Sequence, residues 1–101
     1  MDAPEAAPQI EVGLNEREAE GIYSNLVFIA HSPSEVILDF ARAMPGLPKA
    51  RVFARIIMTP FHAKALLSAL SQNLANFEVQ YGAIHLPGEN DKGEKIGFTG
   101  S

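Results

Sequence analysis

Residues 60–81 constrain this chain more than any other stretch, because both ends of a helix and its apolar stripe are written there. Thr59 can cap the free N–H groups of the first turn, Pro60 fits the first helical position, and Gly82 supplies a left-handed stop. Between them Ala63, Leu67, Leu70, Leu74, Phe77 and Tyr81 recur at alternating spacings of four and three, with Leu66 widening the stripe. Lys64, Ser68, Ser71, Gln72, Glu78 and Gln80 fall elsewhere, so the opposite side is wet. At a rise of about 1.5 Å per residue the helix is about 33 Å long, against roughly 17–20 Å for an ordinary strand. Part of it is therefore free to overhang any sheet it covers.

Upstream lie three segments rich in β-branched and aromatic residues, 22–31, 35–43 and 49–58. Ser32-Pro33-Ser34 and Pro45-Gly46-Leu47-Pro48 separate them, connections too short for a parallel crossover, which predicts an antiparallel meander. Residues 9–14 alternate, with Ile10, Val12 and Leu14 on one side, and predict a short edge strand; residues 15–21 predict one helical turn capped by Asn15. Setting Ala43 opposite Lys49 places Phe40 by Val52, Leu38 by Ala54 and Val36 by Ile56. Together with Leu26, Phe28, Ala30 and Met58 these make an apolar face for the helix. The other face then carries Tyr23, Val27, Ile29, Ile37, Phe53 and Ile57, the candidate interaction face, with Asp39 diagonal to Arg51 and Arg55 as an ion pair that fixes register. One helix cannot shelter both faces, so a second copy of the chain is the expected cover.

The expected fold is thus α+β: an antiparallel meander of three or four strands with one long C-terminal helix packed on one face. Residues 1–8 read as a disordered tail, 9–84 as a single domain, and 85–101, with glycines at 88, 93, 97 and 100, as a flexible tail. The run 96–98 is flanked by glycine and is not expected to dock on the sheet. The chain has no cysteine, which excludes thiol catalysis and a thiolate zinc site. It has no apolar run of membrane-span length and no signal-peptide pattern, so a cytoplasmic location and no membrane partner are expected. A net charge of −4 argues against a general nucleic-acid binder, although Arg42, Lys49, Arg51, Arg55 and Lys64 hold five of the 8 basic residues.

The strings Glu20-Gly21-Ile22-Tyr23-Ser24-Asn25, His31-Ser32-Pro33-Ser34-Glu35, Leu38-Asp39-Phe40, Met44-Pro45-Gly46, Arg55-Ile56-Ile57-Met58-Thr59-Pro60 and His62-Ala63-Lys64-Ala65-Leu66-Leu67 are the most distinctive in the chain. In order and spacing they resemble the bacterial family catalogued as domain of unknown function 3467, over about residues 10–84. That resemblance implies no activity, cofactor or site residue. In element order alone the chain is also similar to the SecB-like export chaperones, a fold-level analogy without a shared motif.

His31 and Glu35 flank the first turn and, with His62 or His85, could supply nitrogen and oxygen ligands to a metal; the commoner reading is separate turn and surface residues, and no metal is assigned. Asn25 and Tyr23 could line a polar pocket with His31, but an asparagine there more often satisfies backbone at a strand edge. No catalytic triad, phosphate loop or carboxylate pair stands out, so no catalytic or cofactor-binding residue is assigned. The expected function is non-enzymatic: a protein-interaction or adaptor module, chaperone-like in kind, acting as a homodimer that can hold another protein. The alternative is a nucleic-acid binder using Arg51, Phe53 and Arg55, two guanidinium groups beside an aromatic ring.

Overall fold

The computed structural model describes residues 10–87 and 98–100. Its elements are α1 (Glu16–Glu20), β1 (Leu26–His31), β2 (Val36–Arg42), β3 (Arg51–Met58), α2 (Pro60–Tyr81) and β4 (Phe98–Gly100). The arrangement is α+β: β1, β2 and β3 form an antiparallel meander in one sheet, followed by the long C-terminal helix. In space the strands run β3-β2-β1-β4.

The helix has the bounds its sequence signals predict. Thr59 is extended and its Oγ1 accepts from the His62 N–H at 3.1 Å, while Pro60 opens the first turn. At the far end Gly82 takes φ 106°, a backbone region that L side chains rarely adopt, and its N–H donates to the Glu78 carbonyl. The chain then turns back: the Ile84 N–H donates to Glu78 Oε2 at 2.8 Å, and Ile84 and Leu86 lie beside Leu74 and Ala75. α1 forms behind Asn15 as predicted, though the Asn15 side chain makes no capping bond.

Four expectations are corrected. Residues 10–14 form no strand; Ile10, Val12 and Leu14 are exposed, because no strand among the described residues pairs with them. The outer edge of β1 is taken instead by Phe98–Gly100, in parallel, with Val27 opposite Phe98 and Ile29 opposite Gly100. Of the run 96–98, expected to stay undocked, Phe98 is the described residue, and it pairs with Val27. The predicted tail at 1–8 lies outside the described residues.

The third correction is the face of β1. His31 pairs with Val36 across a four-residue connection, so Val27 lies opposite Phe40 and Ile29 opposite Leu38. An even-numbered connection joins odd positions to even ones, which puts Val27 and Ile29, and not Leu26, Phe28 and Ala30, beside Val36, Leu38 and Phe40. The Ser32 hydroxyl holds that turn, accepting from the N–H groups of Ser34 and Glu35, while the Ser32 N–H donates to the Glu35 carbonyl.

The fourth concerns β2 and β3, which are two residues out from the predicted register: Val36 pairs with Met58, Leu38 with Ile56 and Phe40 with Ala54. Parity is kept, so Val36, Leu38, Phe40, Ile56 and Met58 share a face as expected. A bulge then shifts the register between Phe40 and Ala41, leaving Phe53 without a partner and pairing Val52 with Ala41, so that Val52 leaves the predicted set.

The helix meets the sheet over its first half. Ala63, Leu66, Leu67 and Leu70 face Val27, Ile29, Val36, Leu38 and Phe40 across an almost wholly apolar cavity of about 310 Å³. Among the described residues only Val27, Leu38 and Ala41 are buried, and α2 buries none of its residues.

Candidate interaction surfaces

Three surfaces emerge from this framework. The first is the helix stripe and the cleft beneath it. Leu70, Leu74 and Phe77 keep 51%, 44% and 45% of their surface exposed, although their spacing is that of a buried seam. Phe77 and Tyr81, one turn apart, bring their ring centroids to 4.9 Å and extend the apolar strip to the end of the helix. The cleft is about twice the size of an apolar cavity known to admit benzene, and Leu66 and Leu67 on its rim are exposed.

The second is the back of the sheet. Phe28 pairs with Asp39 and Asp39 with Arg55; Ala30 pairs with Ile37 and Ile37 with Ile57, which sets all six on one face. Of the candidate interaction face, Ile37 and Ile57 lie here. Val27 and Ile29 lie under the helix, and Phe28 stands on the back in their place. Tyr23 precedes β1 and is exposed; its carbonyl accepts from Arg42 Nε at 3.4 Å.

Asp39 and Arg55 lie directly across the ladder rather than diagonally. Arg55 donates from Nε to Oδ1 at 2.7 Å and from Nη2 to Oδ2 at 2.9 Å, a two-pronged bond that suits the planar guanidinium. That hydrogen bonding, helped by the guanidinium charge and opposed by partial desolvation, holds the Asp39 carboxyl below its ordinary value.

The third surface regroups the cations. Arg55 is committed to Asp39, so it does not form a unit with Arg51 and Phe53. The bulged Phe53 instead has both Arg42, at 4.3 Å from guanidinium carbon to ring centroid, and Arg51, at 5.0 Å, over its ring. Lys49, Met44 and Leu47 complete a pocket around them. Sequence reasoning counted Arg42 among the clustered basic residues but set Arg55, not Arg42, beside Phe53, because the bulge that brings the three side chains together has no mark in the sequence.

Asn25 has the structural role. Its Nδ2 donates to the Ala43 carbonyl at 3.0 Å and its Oδ1 accepts from the Ala43 N–H at 2.9 Å, so the side chain imitates one more rung of the β1–β2 ladder. His62 is occupied locally, its Nδ1 lying 2.8 Å from Thr59 Oγ1. Among the described residues no group of three or more His, Asp or Glu side chains is gathered as a metal ion would require. No helix among them is long and apolar enough to cross a membrane.

A family model described as protein of unknown function (DUF3467) matches residues 1–86. The chain belongs to this family. The DUF3467 match takes in the meander and the whole of α2, and hence all three surfaces. No curated protein and no solved structure matches the chain.

Proposed function

We infer that this DUF3467 protein is a non-enzymatic interaction module of the cytoplasm that works as a homodimer. The observation that carries the reading is that α2 contains no buried residue. In proteins most of a helix's stability comes from tertiary packing of its apolar face rather than from propensity. Beyond Ile84 and Leu86, which lie beside Leu74, no described residue covers the far half of the stripe, and a second copy is the partner present whenever the protein is. Two helices related by a two-fold axis bring Leu70, Leu74 and Phe77 of each against the other and close the cleft.

The back of the sheet is left for a different protein. Phe28, Ile37 and Ile57 offer apolar contact there, and β3 is an edge of the sheet whose outer backbone groups can pair with an extended segment, the mode by which adaptor and chaperone-like proteins hold another chain.

Light scattering at micromolar concentration tests the reading. A mass of twice 10.9 kDa is expected. A mass of 10.9 kDa with the full helical signal by circular dichroism would mean that α2 stands without a partner, and the homodimer would be abandoned.

A further inference from the structure

Arg42, Lys49 and Arg51 converge on one pocket of about 340 Å³, walled by Met44, Leu47 and Phe53. The chain as a whole is acidic, with a net charge of −4, yet none of these three cations has a carboxylate partner among the described residues. The ladder sets Arg42 directly opposite Arg51, an arrangement of like charges that weakens a sheet. Phe53 offsets part of that cost by taking both guanidinium groups against its ring. It is placed there as the extra residue of the bulge, the kind of irregularity that re-aims a side chain.

A guanidinium stacked on a ring still presents its N–H edge outward. Arg42 is further held by its Nε bond to the Tyr23 carbonyl, which leaves its two Nη groups to point at a ligand. The loop behind them is formed by a turn in which the Leu47 N–H donates to the Met44 carbonyl and Gly46 takes φ 84°, so that Met44, Leu47 and Lys49 close one side.

We propose that the Arg42–Lys49–Arg51 pocket binds a phosphomonoester, its phosphate between the two guanidinium groups and Lys49 and its organic body against Met44 and Leu47. Three formal positive charges are matched better by a group carrying nearly two negative charges than by a carboxylate carrying one. A nucleic-acid backbone fits less well, because it spreads single charges along a track, and the next cation on β3, Arg55, is neutralised by Asp39. The site stands apart from the apolar stripe of α2 and does not depend on the homodimer.

The test is a titration of the full chain with phenyl phosphate at constant ionic strength, followed by two-dimensional amide and arginine side-chain NMR. Saturable shifts confined to residues 42–53 are expected. Affinity should fall about tenfold in Arg51→Gln and several-fold in Lys49→Gln, whose side chain makes no bond that the fold needs. Benzoate, with one charge, and inorganic phosphate, with no organic body, should both bind more weakly. Shifts no larger than those from added sodium chloride, or equal shifts at Arg17 and Lys64, would sink the proposal. Benzoate binding as tightly as phenyl phosphate would overturn the match to a dianion, and inorganic phosphate binding as tightly would overturn the ester. Saturation by a single-stranded oligothymidylate without a response to phenyl phosphate would reassign the pocket to nucleic acid.

Discussion

Among the described residues Asp39 and Arg55 are the one pair of opposite charges brought face to face in the sheet, and their bond is at once short, two-pronged and partly shielded from water. Because the folded-state pKa of Asp39 is depressed, the stability it contributes is complete above the unfolded value, near 3.8, and is lost as pH falls through the folded one. Thermal melts between pH 7 and pH 2 should therefore show a loss of stability, setting in below about pH 4, that is shallower in Asp39→Asn than in the native chain. The variant should start lower at pH 7 and converge in acid. Parallel curves would mean that the pair adds nothing. Asn25 acts by different physics, replacing a missing residue of the ladder with its own amide, and Asn25→Ala should fray the junction of residue 25 with Ala43. The expected cost is about 1 kcal/mol for two lost hydrogen bonds that water can partly replace, measured by urea denaturation, with faster amide exchange at Ala43.

The helix is the element whose ends are best specified, and both ends can be tested singly. Thr59→Ala removes the acceptor of the His62 N–H and should cost about 1 kcal/mol, whereas Thr59→Ser should restore most of it. Gly82→Ala meets no atom within 4 Å of the new Cβ but must adopt φ 106°, so its cost of about 1 kcal/mol is backbone strain and not a clash. Those bounds were legible because capping is settled by the residue itself and its neighbours within a turn. The strand predicted at residues 9–14 is absent from 10–14 for the complementary reason: alternation makes a segment able to pair but does not choose a partner, and at the β1 edge that place is taken by Phe98–Gly100.

For the whole molecule, the decisive quantity is apolar surface without cover. Leu74 is 44% exposed, so in an isolated subunit Leu74→Ala should cost under about 1 kcal/mol. If the stripe is buried between two copies, the same substitution should weaken the dimer by about 2 kcal/mol, roughly 30-fold in dissociation constant, by sedimentation equilibrium. Leu74→Asp should leave no dimer at micromolar concentration. Unchanged self-association in both variants would place the interface elsewhere, and Ile57→Asp on the back of the sheet then becomes the informative comparison.

Helix bounds, strand count in the meander and the turns between strands follow from signals a few residues long, and these the chain spells out. Which face of β1 meets the helix does not, because Leu26–His31 is apolar on both sides and a one-residue slip leaves its pattern unchanged. The length of the Ser32–Glu35 connection settles that parity, and the bulge at Phe53 settles which arginines become neighbours. Both are properties of paired strands. They come into being only when the chain has folded, since each depends on where a partner residue across the ladder stands.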